Sequence, residues 1–297
     1  MSLFKNVTRV QQVDLEPMML LQGKIMSELN KAKKSDDIQD YEFKVTSQNG
    51  EDGIIQYLIH KYNIENKKFI EFGVESYKEA NTRFLLQNDN WSGLIIDGNE
   101  EYMKNVKASD LGWKYDITPV GSFITKENIN KIIVDSGFSA NVGLLSVDID
   151  GNDYWVFEAI TCVEADILIM EYNSLFGPST KISTLYNSAF IRGQQHYSNL
   201  LYGASISVLT ELANKKGYSL LGSNSFGNNL FFVNKKYEAQ NKISPQEAYV
   251  KSKFRESRDN MGGLSYLSHE KGLELLKDET VFDFTLNKEV KLGGIAI

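Results

Sequence analysis

From Lys68 onward, apolar residues come in short bursts, and most bursts end on a polar or acidic residue. Apolar runs of four to eight residues bounded by turn signals read as buried strands, and recurrence every three to four residues reads as helix. KFIEFG (68–73) is then a first strand and SGLIID (92–97) a second. WKYDI (113–117) is a short third strand ending near Asp116. VGLLSV (142–147) and ADILIME (165–171) make a fourth and a fifth, the last ending at Glu171.

Helices fall between these strands. Phe84, Leu85 and Leu86 belong to one, and Ile129, Ile132 and Ile133 to another that starts at Thr125 and closes at Gly137. A short helix runs to about Ile160, and Ser205 to Lys216 forms the next, with Ile206, Leu209, Leu212 and Ala213 inward. YSLLG (218–222) and NLFFV (229–233) lie close enough together to form an antiparallel hairpin. Strands alternating with helices predict a parallel, doubly wound α/β sheet, and the hairpin makes it mixed.

Before this alternation, residues 1–42 read as a helical segment with Met18, Leu21, Ile25 and Leu29 on one stripe. Such a stripe needs a partner surface; a homo-oligomer is one way to supply it, and the sequence leaves the oligomeric state open. Ser47 or Asn49 caps a further helix, with Glu51 and Asp52 near its positive end and Ile54, Ile55, Leu58 and Ile59 inward. Residues 43–236 form the main domain, and 237–297 a polar, weakly helical appendage.

Composition narrows the function. A hydrophobic content of 42% is ample for one large core. No stretch approaches the roughly 18–20 apolar residues of a membrane span, and the N-terminal residues lack an apolar signal region. The one cysteine, Cys162, rules out an internal disulfide framework and any cysteine-rich zinc site. A cytoplasmic protein without a membrane partner is expected. The net charge of −7 argues against nucleic acid, which needs a concentrated basic surface, and favours a small-molecule substrate.

The candidate chemistry lies at the ends of the strands. In open α/β sheets, ligands bind beyond the carboxyl ends, at the point where strand order reverses. Glu71 and Gly73 in FIEFGVES place a carboxylate and an unhindered turn there, or else Gly73 merely ends the strand. This is not GxGxxG, which disfavours a dinucleotide and suits a ligand without phosphates, such as S-adenosylmethionine. Asp97 follows at close to the spacing at which an acid reaches ribose hydroxyls. Asp116 can accept from an adenine amino group, or simply cap its turn.

The fourth strand runs into DIDGND, whose glycine stands at position 4 rather than 6 of a calcium loop, so an EF-hand is rejected. Asp148 and Asp150, with Glu171 from the adjacent strand about 4.8 Å away, nonetheless form a hard oxygen set for magnesium or manganese. The alternative is that Asp153 caps the following helix and Asp150 stabilises the turn. His196, in the irregular stretch after the fifth strand, is a natural general base for an alcohol, or else a solvated loop histidine. Residues 174–203 are too long for an ordinary connection. With the N-terminal segment they are expected to form the acceptor side, presenting Tyr186, Arg192, Gln194, His196 and Tyr197.

In this order, SQNGEDGII (47–55), FIEFGVES (69–76), LIIDGN (94–99) and SVDIDGNDYW (146–155) resemble the FkbM-like S-adenosylmethionine-dependent methyltransferases. The resemblance covers about 43–236. It implies a Rossmann-like class I methyltransferase fold, a seven-stranded sheet whose last strand is antiparallel. By position it implies that Glu71 and Gly73 line the methionine part of the cofactor, Asp97 the ribose and Asp116 the adenine. It sets Asp148 beside the methyl group and folds Gln48 and Glu51 over the cofactor. Members of this group are similar to enzymes that methylate hydroxyls of sugars, some with a divalent metal. A sugar or sugar nucleotide is the acceptor class so implied, with catalysis by Asp148, Asp150 or His196. The chain lacks the [DN]-P-P-[YF] motif of base methylases and has EYNS after the fifth strand. The alternatives are a nucleotide-dependent Rossmann oxidoreductase and a non-catalytic module that binds S-adenosylmethionine.

Overall fold

The computed structural model describes residues 3–237 and 243–297, with side chains from residue 15 onward. Its strands are β1 (Lys68–Phe72), β2 (Ser92–Asp97), β3 (Ile117–Gly121), β4 (Ala140–Val147), β5 (Val163–Glu171), β6 (Ile182–Thr184), β7 (Tyr218–Ser223), β8 (Asn229–Asn234), β9 (Thr280–Asp283) and β10 (Lys288–Lys291). Helices α1 (Leu3–Lys31) and α2 (Glu51–Lys61) precede β1. α3 (Arg83–Asp89), α4 (Glu100–Ala108), α5 (Asp110–Lys114), α6 (Ile129–Asp135), α7 (Asp153–Ala159) and α8 (Arg192–Gln195) follow. α9 (Ile206–Lys215), α10 (Pro245–Ala248) and α11 (His269–Leu276) complete the set.

Seven strands form one sheet in the order β3-β2-β1-β4-β5-β8-β7. β1 to β5 are parallel, and β8 runs antiparallel to both β5 and β7. The mixed sheet with a reversed last strand agrees with the sequence expectation. Both faces are covered, so successive strand residues point into different layers. Ile70, Leu94, Leu145 and Leu168 pack with α6, α7 and α9 residues such as Ile129, Phe157 and Leu209. Phe69, Ile95, Leu144 and Ile167 pack with α2 to α4 residues such as Ile54, Leu85 and Met103.

β3 departs from the sequence expectation. Trp113 and Lys114 belong to α5, which Ser109 caps and an Asp110–Lys114 pair at 2.6 Å supports. The strand begins only at Ile117, pairing Gly93 with Ile117 and Asp97 with Gly121. Pro119 lies inside β3, which is tolerable because β3 is the sheet's edge. Asp116 therefore lies at the amino-terminal edge of the sheet, where its carbonyl accepts from the Gly93 N–H. That is the edge opposite Asp97, so Asp116 cannot meet an adenine held there.

α1 packs through small residues rather than its apolar stripe. Gly23 sits against Val45 and Phe84, and Asn30 donates to the Tyr41 carbonyl at 2.7 Å. Met18, Leu21, Ile25 and Leu29 are each at least half exposed. No described helix is long and apolar enough to cross a membrane.

The expected C-terminal appendage is built into the body. β9 pairs antiparallel with β6 and with β10, making a three-stranded sheet. Leu276, Val281 and Leu292 close a small core over Leu175, Phe176, Ile182 and Leu201. The stretch from Tyr249 to Ser268 is largely irregular, and Lys251 to Glu256 and Leu267 to Ser268 within it line the cleft at the carboxyl edge of the main sheet, Lys253 excepted.

Candidate functional site

β1 and β4 are neighbours whose connections leave toward opposite sides of the sheet, and a cleft of about 520 Å³ opens beyond their carboxyl ends. That volume lies within the range of small-molecule sites, roughly 300–1,000 Å³. Glu71, Gly73, Asp148, Asp150, Glu171 and Asn229 line its floor.

Gly73 holds β1 close to β4. Its φ is +68°, and a Cβ there would stand 1.8 Å from the Asp148 carbonyl oxygen. Only glycine permits that approach. Glu71 turns back toward the start of α3 and accepts from the N–H groups of Asn81 (2.8 Å) and Thr82 (3.0 Å) and from the Thr82 hydroxyl. Burial pushes its carboxyl up to about 7 despite these donors. Asp97, beside the cleft, accepts from Glu75 N–H and Asn99 N–H, both at 2.7 Å. A carboxylate offers about four lone-pair sites, so two remain free for a ligand.

The SQNGED turn is held from within. Asp52 is buried and accepts from the N–H groups of Val45, Thr46 and Ser47 at 2.7 to 2.8 Å. This presents Gln48 to the cleft. Glu51 does not reach the cleft. It is fully buried and accepts from Asn49 N–H and from the side-chain amides of Asn224 and Asn229.

Asp148, Asp150 and Glu171 each contribute a carboxylate oxygen, and these lie within 4.8 Å of one another. Asp150 stands on a left-handed residue (φ +59°) and pairs with Arg192 at 2.6 Å. The Arg192 guanidinium in turn lies 3.7 Å over the Tyr202 ring. Asp153 is the residue that organises the turn: it is buried and accepts from Ile149 N–H and Gly151 N–H. Burial raises its carboxyl to about 6. Burial, then the charge of Asp150, raises Asp148 well above the ordinary carboxylate value, and burial with the Asp148 charge does the same to Glu171. Glu171 Oε2 and Asn229 Oδ1 are buried without a hydrogen-bond partner.

His196 is not brought to this cluster. Its Nδ1 meets the Ser198 hydroxyl at 2.7 Å, its ring lies against Tyr197, and it does not line the cleft. The histidine that does is His269, at the start of α11, where burial lowers its pKa below the ordinary value. From residues 174–203, Ser174, Leu175, Arg192, Leu200 and Tyr202 reach the cleft, while Tyr186 bonds Glu127 outside it. Among the described residues, none before Gln48 lines the cleft; Lys251, Phe254, Arg255 and His269 form that wall instead. Nothing local in their polar sequence marks them for this role.

No protein-family model matches the chain, and no curated protein matches its sequence. Among solved structures it is similar to the N-terminal domain of EvdMO1 with SAH bound, at 10% identity and TM-score 0.43, over 64% of this chain and 82% of that one. It is also similar to the O-methyltransferase TomG from Streptomyces achromogenes in complex with SAM, at 9% identity and TM-score 0.39, over 68% and 91%. A third is an S-adenosylmethionine-dependent methyltransferase from Clostridium acetobutylicum, at 9% identity and TM-score 0.36, over 59% and 85%. The chain's own strand order, with β8 reversed between β5 and β7, is that of the Rossmann-like methyltransferase fold.

Proposed function

We propose that this protein is an S-adenosylmethionine-dependent O-methyltransferase acting on a hydroxyl of a small molecule, a sugar or sugar nucleotide, with the help of a divalent metal. The resemblance to the FkbM-like group belongs to the same proposal. The observation that carries it is the convergence of the ends of β1, β2, β4 and β5 on one edge, three of them lining a single cleft at the point where strand order reverses.

The donor set fits S-adenosylmethionine. Gln48, Glu71 and Gly73 border the part of the cleft where the methionine would lie, and the two free lone-pair sites of Asp97 suit a ribose. When bound, that cofactor supplies an electrophilic methyl group. The orphaned Glu171 Oε2, with Asp148 and Asp150 beside it, fits magnesium or manganese, both of which favour oxygen ligands. Asp148, made more basic than an ordinary carboxylate by burial, can take a proton from an acceptor hydroxyl. His269 is the histidine that shares the cleft and replaces His196 as the second candidate base. Arg192 and the wall from Lys251 to Glu270 face the acceptor side.

Calorimetric titration with S-adenosylmethionine, S-adenosylhomocysteine and NAD tests the reading. Binding of the first two and not the third is expected; NAD binding alone would replace the proposal with an oxidoreductase. In the same assay Asp97→Ala should weaken S-adenosylhomocysteine by about 1–3 kcal/mol, the cost of losing a charged acceptor. Wild-type affinity would remove Asp97 from the ribose.

A further inference from the structure

Glu171, at the end of β5, and Asn229, at the start of β8, are direct cross-strand partners. Such partners project to the same face with Cβ atoms about 4.5–5.5 Å apart. Each carries one buried oxygen, Glu171 Oε2 and Asn229 Oδ1, with no donor in reach. Both residues line the cleft. An orphaned buried acceptor costs about 1–3 kcal/mol, so two side by side mark the place of a missing donor or cation.

The direction of Asn229 is imposed from behind. Glu51 Oε1 accepts from Asn224 Nδ2 at 2.7 Å and from Asn229 Nδ2 at 3.2 Å. Glu51 Oε1 thus accepts from the nitrogen of the Asn229 amide, which turns the amide oxygen away from Glu51. Of the cations that line the cleft, Arg192 is engaged with Asp150 and the Tyr202 ring, Lys251 pairs with Glu270, and Arg255 lies 5.2 Å over the Tyr266 ring. Asparagine carbonyl oxygens are hard ligands of the same class as carboxylates.

Resting on the metal-assisted reading above, we propose that Asn229 Oδ1 is a further protein ligand of the divalent cation held by Asp148, Asp150 and Glu171, and that Glu51 is the positioning residue that aims it. No sequence motif marks this pair, because Glu51 and Asn229 lie 178 residues apart.

The test is Mn2+ binding to the full-length protein, followed by electron paramagnetic resonance without cofactor or acceptor. Asn229→Leu should weaken Mn2+ by about tenfold or more, as loss of a ligand or its support does. Asn229→Asp should keep or improve it. Glu51→Gln removes the orientation and should weaken Mn2+, while Glu51→Gln/Asn229→Asp should restore it, since a carboxylate presents an oxygen either way round. A merely structural role for Glu51 gives no such rescue. Wild-type affinity in Asn229→Leu, or equal binding by Glu51→Gln with and without Asn229→Asp, overturns the inference and leaves the three-carboxylate site standing. Absence of Mn2+ binding by the wild type overturns the metal reading itself, and this inference with it.

Discussion

Gly73→Ala will destabilise the protein by about 3 kcal/mol or more and will weaken S-adenosylhomocysteine binding in whatever fraction still folds. Two costs add. A non-glycine residue at φ +68° is strained, and its Cβ would lie 1.8 Å from the Asp148 carbonyl oxygen, a backbone atom that cannot rotate aside. Relief requires β1 and β4 to part at the point where the cleft opens, which also shifts Asp148. Urea unfolding monitored by circular dichroism, with calorimetry for the ligand, reads both effects. A variant with wild-type midpoint and affinity would mean that the β1–β4 approach is not what shapes the cleft.

The second large effect concerns pH and metal together. Glu71 is raised to about 7 and Asp153 to about 6, and Asp148 and Glu171 lie well above their ordinary values. A carboxyl whose folded pKa exceeds its unfolded one stabilises the fold fully below the unfolded value, and that contribution is lost as pH rises through the folded one. For Glu71, a displacement from 4.5 to about 7 corresponds to about 3 kcal/mol. Metal-free protein should therefore melt at a lower temperature near about pH 8 than near about pH 5.

Added Mn2+ should raise the melting temperature more at the higher pH than at the lower, because the metal competes with protons for Asp148 and Glu171, whose burial favours the protonated form; at a hundredfold excess over Kd the gain is about 2.7 kcal/mol. A flat profile without metal would contradict the buried cluster. For turnover, exhaustive EDTA treatment should abolish methyl transfer and manganese or magnesium should restore it. Unchanged turnover would leave Asp148 to act without metal.

Much of the site was legible because it depends on local pattern plus one topological rule. The buried runs ending at Glu71, Asp97, Asp148 and Glu171 have clear polar boundaries, and a parallel sheet puts all such ends on one edge. What failed did so for identifiable reasons. Pro119 hides β3 inside a stretch that reads as a turn, which displaced the strand and carried Asp116 to the wrong edge. His196 could not be placed because its segment is shaped by the β6–β9 pairing, to which no local signal points. The same distance effect hid His269 and Asn229, whose surroundings come from segments remote in sequence.

The pairing of β9 with β6 also sets an order of events. All seven strands of the main sheet precede residue 235, so the sheet can form as soon as that much chain has left the ribosome. At that stage the carboxylates face open water without the wall from Lys251 to Glu270. That wall is tied to the main body by the Tyr172 hydroxyl, which donates to the Val250 carbonyl, and by the Ser252 N–H, which donates to Ser174 Oγ, while residues 280–283 dock separately on 182–184, a contact spanning about a hundred residues and correspondingly slow to find. A chain emerged as far as residue 235 thus carries every strand of the main sheet but none of the residues of that wall, so the cleft is the last part of the molecule to receive its lining.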